Sequence, residues 1–140
     1  MATPASIRRV RNLFAILCLA CIAAACQRSP ASGTVAPSDL AALVREGKAP
    51  VILDVRSPEE YAAGHIPGAI NIPQNELSGR LAEVPAARSD EIVVHCQAGR
   101  RAAAAEEILG KAGYTGVRDL RGHMNAWLEA GLPVERSAGR

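Results

Sequence analysis

The chain has 140 residues, a formal net charge of +2, 49% hydrophobic residues and 21% charged ones. That balance excludes a disordered or fibrous chain and suits one domain. So small a charge offers no clustered phosphate-binding surface, and Phe14, Tyr61, Tyr114 and Trp127 are the only aromatics, too few for a base-stacking platform. Nucleic acid is therefore not an expected partner. Of the four cysteines, three (Cys18, Cys21 and Cys26) fall in the first 26 residues, which argues against a disulfide framework.

Residues 1–25 read as an export signal. Arg8, Arg9 and Arg11 precede a 13-residue apolar run, Leu13 to Ala25, that ends in small residues. The run is short for a bilayer span, and it shows no polar face of the kind a core helix carries. Ala23-Ala24-Ala25 suits ordinary signal cleavage. The same residues followed by Cys26 resemble a bacterial lipobox, although alanine stands at 23 where leucine is more usual. The resemblance implies a lipid anchor on Cys26, and Gln27 in place of aspartate favours the outer membrane, on its periplasmic side. From 26 to 37 the chain, rich in Ser, Pro and Gly, reads as a tether.

From 38 to 136 the signals alternate. Ser38 is expected to cap a helix running to about Arg45. Val51-Ile52-Leu53 reads as a buried strand. Ser57-Pro58-Glu59-Glu60 opens a second helix with a capping box, and Gly64 ends it. Ala69-Ile70-Asn71 is a short strand. Leu77, Leu81 and Val84 have helical spacing, weakened by Gly79. Ile92 to His95 is the most strand-like stretch and runs directly into Cys96. Arg101 to Ala112 is helical, Val117 to Leu120 a strand, and Met124 to Ala130 a last helix. The alternation predicts an α/β fold of three layers, with a mainly parallel central sheet and helices on both faces. Ligands in such folds gather at the carboxyl ends of strands, and Cys96 sits at one of them.

Cys96-Gln97-Ala98-Gly99-Arg100-Arg101 is the segment that carries chemistry. A strand delivers a thiol where a helix begins, so the backbone N–H groups of residues 97 to 101 can turn toward the sulfur and toward an anion. Gly99 permits a backbone shape closed to other residues. Arg100 and Arg101 add positive charge, and cysteines in such surroundings can titrate at roughly 3.5–7.5. A small buried core cysteine is the plain alternative, but Gly-Arg-Arg is poor core material. Cys96 would also be the one idle thiol of an exported domain.

With Leu53-Asp54-Val55-Arg56-Ser57-Pro58-Glu59-Glu60-Tyr61, Gly64-His65-Ile66-Pro67-Gly68-Ala69-Ile70-Asn71, Cys96-x-x-Gly99-x-Arg101 and a closing Leu120-Arg121-Gly122 through Trp127 to Val134, the chain resembles the rhodanese sulfurtransferases. The resemblance covers about residues 38 to 135. It implies that Cys96 takes a sulfane sulfur from an anionic donor such as thiosulfate, holds it as a persulfide and passes it to cyanide or a thiol. A protein acceptor is a further partner it allows. Gln97 to Arg101 would bind the donor, with no metal or organic cofactor. Two departures stand out: Gln97 where arginine is frequent, and His123 where a second glycine usually follows Gly122.

A cysteine phosphatase or arsenate reductase of the related fold is the nearest rival, but its loop closes seven positions from the cysteine. Counted from Cys96 that is Ala102, whereas Arg101 closes a loop of six. A sulfane-sulfur carrier with little turnover is the other alternative. Asp54 and Arg56 are expected to form a structural ion pair tying the strand end to the neighbouring helix, and His65 a loop-stabilising hydrogen bond. His95 alternates away from Cys96. The three histidines share no zinc-like spacing. Trp127 reads as core, and Glu106-Glu107 as a solvated helix face. With residues 1–25 removed, 13 basic residues face 14 acidic ones, so the basicity belongs to the export signal.

Overall fold

The computed structural model describes residues 33–137; Cys26 and the export signal lie outside the described residues. The described chain contains β1 (Thr34–Val35), α1 (Pro37–Arg45), β2 (Val51–Asp54), α2 (Pro58–Ala63), β3 (Ile70–Asn71), β4 (Glu91–His95), α3 (Arg100–Lys111), β5 (Gly116–Leu120) and α4 (His123–Glu129). The strands form one parallel sheet in the order β1-β5-β4-β2-β3. Parallel strands need crossovers, and each crossover lays a helix or a pair of turns on one face of the sheet.

Side-chain alternation along the strands divides the core in two. Leu53, Val55, Ile92, Val94 and Cys96 face α3, where Ala102, Ala105 and Leu109 cover them together with Leu77, Val84 and Tyr114. Ile52, Val93 and Leu120 face the opposite layer, which contains Leu40 of α1 and Met124 and Trp127 of α4. The alanines of α3 let that helix lie close to the sheet. Trp127 is 1% exposed, as expected of core, and its indole N–H donates to Pro133 O at 2.9 Å.

Four expectations need correction. Residues 34 and 35, placed in the tether, are an edge strand beside β5, with Thr34 opposite Asp119 and Val35 opposite Leu120. Ser38 does not cap α1; Ala36 holds the extended cap position, and Pro37, which has no N–H to leave unpaired, takes the first turn. The segment Leu77 to Val84 forms two 3-10 turns, Leu77–Gly79 and Leu81–Glu83, instead of a helix. Helical spacing of three and four residues fits either geometry, and Gly79 tips the balance. Glu106 is half-buried, not fully solvated, and burial raises its pKa.

Helix α2 forms as the sequence predicts. Glu60 N–H donates to Ser57 Oγ at 3.3 Å, and Ser57 N–H donates to Glu60 Oε2 at 3.0 Å. Each side chain satisfies a backbone donor that the first turn leaves unpaired. Beyond α4 the chain returns to α2: His65 and Glu135 exchange backbone hydrogen bonds, each 2.9 Å, in an isolated antiparallel bridge.

Candidate active site

Strand β4 ends at His95, and Cys96 follows at the carboxyl edge of the sheet, 2% exposed. Together with Gln97, Ala98, Arg100 and Arg101 it lines a cavity of about 320 Å³. The backbone N–H of Gly99 donates to Cys96 Sγ at 3.0 Å. Gly99 has φ +118, in the region that glycine alone enters without strain, and it forms the N-cap of α3. The first N–H groups of α3 have no intrahelical partner, and the first two residues of this 12-residue helix, Arg100 and Arg101, line the cavity, so the helix's positive end lies beside it.

The loop is held from below. Met124 N–H donates to Cys96 O at 3.0 Å and Asn125 N–H to Gln97 O at 3.2 Å, so the first turn of α4 clasps the loop carbonyls. Gln97 Nε2 also donates to Asn125 Oδ1. His123, which stands at the position resembling a glycine turn, accepts the left-handed geometry that position demands, with φ 54 next to Gly122 at φ 69. Its ring lies beneath the loop: a Cβ added to Gly99 would sit 2.8 Å from His123 Nε2. His123 Nδ1 lies 3.4 Å from Asp119 Oδ1, both atoms buried without a well-formed hydrogen bond. Burial lowers the pKa of His123 and raises that of Asp119.

The two loop arginines differ. Arg101 is anchored, its Nη1 and Nη2 donating to Glu60 at 2.6 and 2.9 Å. Those bonds hold the Glu60 carboxyl at a pKa of about 2, and they raise that of Arg101, with a smaller contribution from Cys96. Arg100 is exposed on the rim. A second cavity of about 430 Å³ shares Arg100 and Arg101 with the first and continues past Arg56, Pro73 and Gln74.

Asp54 and Arg56 are buried and meet in a forked pair, Nη2 to Oδ2 at 2.6 Å and Nε to Oδ1 at 3.0 Å. Arg56 Nη2 also donates to Gly64 O at 2.9 Å, and Nη1 to Gln97 Oε1 at 3.3 Å. One guanidinium thus joins the end of β2, the end of α2 and the cysteine loop. His65 Nδ1 lies 2.8 Å from Tyr61 O, and its ring stacks on Tyr61 at 3.7 Å. His95 is buried beside Asp54, its Nε2 3.7 Å from Asp54 Oδ2, and desolvation lowers its pKa.

The sequence reading of the loop omitted three residues: Glu60, Asn125 and His123. Glu60 already had a local role in the capping box, and nothing near it in sequence reveals a partner 41 residues away. His123 stands out only as a departure from the glycine that usually follows Gly122, which says nothing of its ring lying against Gly99, and Asn125 shows only as a polar residue at the start of an amphipathic helix.

Residues 36–130 match the rhodanese-like domain family. The chain belongs to the rhodanese family. This rhodanese is 40% identical over 108 residues to human thiosulfate:glutathione sulfurtransferase, covering 69% of the chain and 93% of that protein. It is 44% identical over 70 residues to thiosulfate sulfurtransferase PspE of Escherichia coli, covering 50% of the chain and 67% of that protein. The solved structure of a human single-domain sulfurtransferase superposes with a TM-score of 0.60 at 40% identity, over 69% of the chain and 95% of that structure. A rhodanese-related protein from Thermoplasma volcanium gives 0.63 at 35% identity, over 74% of the chain and 98% of that one. The rhodanese is accordingly an enzyme of the sulfurtransferase class, and its α/β fold is the family's.

Proposed function

We propose that the protein accepts a sulfane sulfur from thiosulfate on Cys96 and delivers it, through a persulfide, to a thiophilic acceptor, either cyanide or a thiol. The observation that carries this reading is the Gly99 N–H directed at Cys96 Sγ, 3.0 Å away, where Cys96 lines a cavity together with Arg100 and Arg101. A donor aimed at the sulfur stabilises negative charge there, on the attacking sulfur and again on the sulfur that leaves when the persulfide is discharged. The thiolate attacks the outer sulfur of thiosulfate; the new S–S bond forms as the old one breaks, and sulfite leaves with the electron pair. Cyanide then attacks the outer sulfur of the persulfide, the electron pair returns to Cys96, and thiocyanate departs.

Arg100, exposed on the rim, suits capture of the dianionic donor, while Arg101, fixed by Glu60, supplies a stationary positive charge. The loop that begins at Cys96 closes at Arg101, six positions, one fewer than the loop of a cysteine phosphatase. We also propose that the protein is exported and anchored through a lipid on Cys26, a reading supported by the basic start, the 13-residue apolar run and the small residues before the cysteine. The test of the catalytic reading is thiocyanate production from thiosulfate and cyanide: present in the wild type, absent in Cys96→Ser, with no phosphatase turnover by either. Membrane fractionation tests the anchor, since Cys26→Ser should release the processed protein.

A further inference from the structure

His123 is a buried titratable side chain that the sulfur chemistry above leaves without a role. It stands at φ 54, a left-handed backbone that glycine enters freely and a side chain does not, and its side chain is 9% exposed. The resemblance to the rhodaneses places a second glycine here, so the ring is an addition that strains the backbone and is held in place by what surrounds it.

The ring fills the space that Gly99 leaves open. A Cβ on Gly99 would lie 2.8 Å from His123 Nε2, 3.3 Å from Cδ2 and 3.7 Å from Cε1, so the imidazole occupies the volume of the missing side chain. The other contacts of Gly99 run elsewhere: its carbonyl accepts from Ala103 N–H at 2.9 Å, and its own N–H donates to Cys96 Sγ at 3.0 Å. Met124 and Asn125, the next two residues after His123, hold Cys96 O and Gln97 O through their N–H groups. The start of α4 therefore braces the cysteine loop at two carbonyls and, through the His123 ring, at Gly99.

The other ring nitrogen, Nδ1, lies 3.4 Å from Asp119 Oδ1, and both atoms are buried with no hydrogen-bond partner. Asp119 from β5, Glu106 from α3 and His95 from β4 are the titratable groups that face the imidazole. Burial holds its pKa below the ordinary value against the pull of Glu106, so the ring is neutral at neutral pH. A carboxylate opposite Nδ1 favours the proton there and leaves Nε2 to face Gly99 with a lone pair. Protonation adds a hydrogen on Nε2, into a contact that is already close.

We infer that His123 is a positioning residue for sulfur transfer: its ring, anchored by Asp119, braces Gly99 so that the Gly99 N–H stays aimed at Cys96 Sγ. The inference rests on the sulfur-carrying role of Cys96 given above. The Gly99 N–H stabilises charge on the attacking sulfur and on the leaving one, so a slackened brace slows both half-reactions and leaves donor capture by Arg100 as it was. Slowing both halves alike lowers kcat and preserves KM for thiosulfate.

Thiocyanate production by the wild type, His123→Gly, Asp119→Asn and the double variant tests the assignment, with rates taken per folded protein. His123→Gly puts glycine at a positive φ and removes the brace; kcat should fall about five- to tenfold, part of what one hydrogen bond to a charged group contributes, with KM within about twofold. Asp119→Asn should lower kcat about two- to threefold in the wild type and leave it unchanged in the His123→Gly background, where no ring remains to anchor. The ratio of wild-type to His123→Gly kcat should shrink as pH falls from about 7.5 to about 5.5, as Nε2 gains its proton. Equal kcat in the wild type and His123→Gly, an Asp119→Asn effect that persists without the ring, a ratio indifferent to pH, or a rise in KM at constant kcat would each overturn the positioning role alone. If His123→Gly does not fold, Asp119→Asn decides by itself: an unchanged kcat in that variant overturns the assignment. A wild type that forms no thiocyanate would instead refute the sulfur-transfer reading, and this inference with it.

Discussion

Replacing Arg56 with methionine removes the partner of a carboxylate that has no access to water. Asp54 is 0% exposed and Arg56 4% at the side chain, so the pair sits fully inside the fold. Arg56→Met keeps much of the aliphatic packing but takes away three guanidinium bonds to Asp54, of 3.0, 3.1 and 2.6 Å. One bond survives, from the backbone N–H of residue 56 to Asp54 Oδ1 at 3.0 Å. Breaking a buried pair from one side costs about 3–5 kcal/mol, because the remaining charge stays desolvated. For a domain of this size that is a fall in Tm of at least about 12 °C, and a large share of a total stability of roughly 5–15 kcal/mol. His95 Nε2, 3.7 Å from Asp54, offers partial relief by taking up a proton, so the loss should be smaller at lower pH. Guanidinium unfolding of the wild type, Arg56→Met and the double variant Asp54→Asn/Arg56→Met provides the measurement. The double variant should be the more stable of the two mutants. A loss below about 1 kcal/mol in Arg56→Met, no more than an exposed pair contributes, would refute the reasoning.

Gly99→Ala should impair both folding and sulfur transfer: the position has φ +118, and a Cβ there meets His123 Nε2 at 2.8 Å. The backbone strain alone costs about 1–3 kcal/mol, and adding His123→Gly should recover the steric part only, as read by Tm and thiocyanate production. Glu60→Gln should lower Tm and loosen Arg101. It should also flatten acid unfolding, because the Glu60 pKa falls from 4.5 to about 2 on folding, and the associated stability, present above pH 4.5, is lost as pH drops through about 2. His95 and His123 shift in the same direction, below 6.5, since burial disfavours their charged forms; their contribution is complete above pH 6.5 and declines as pH falls. Asp119 and Glu106 are raised by burial and oppose this trend at acid pH. Chemical unfolding across pH 4 to 8 should therefore show lower stability in His123-containing protein toward the acid end, and a weaker slope in His123→Asn.

The parts of the fold written into local sequence were legible. Val51-Ile52-Leu53 and Ile92 to His95 are apolar runs of strand length, and the Ser57–Glu60 box and Pro58 fix where α2 starts. Thr34–Val35 was not legible, because two residues carry no periodicity and their partner, β5, lies some 84 residues on. The turns between Leu77 and Glu83 share spacing with a helix and differ from it only in hydrogen bonding. At the site, the chemistry of the loop was local and readable: a strand end, a thiol, a glycine, two arginines. What holds it was not. Glu60 reaching Arg101, Asn125 meeting Gln97 and His123 lying under Gly99 depend on how separate elements pack.

The central claim is that Cys96 carries the transferred sulfur. Intact-protein and peptide mass spectrometry after brief incubation with thiosulfate tests it most directly. The account predicts a gain of one sulfur atom, mapped to Cys96, removed by cyanide with release of thiocyanate, and abolished in Cys96→Ser. Thiocyanate formation by Cys96→Ser, or a wild type that turns over without ever holding sulfur on Cys96, would contradict it.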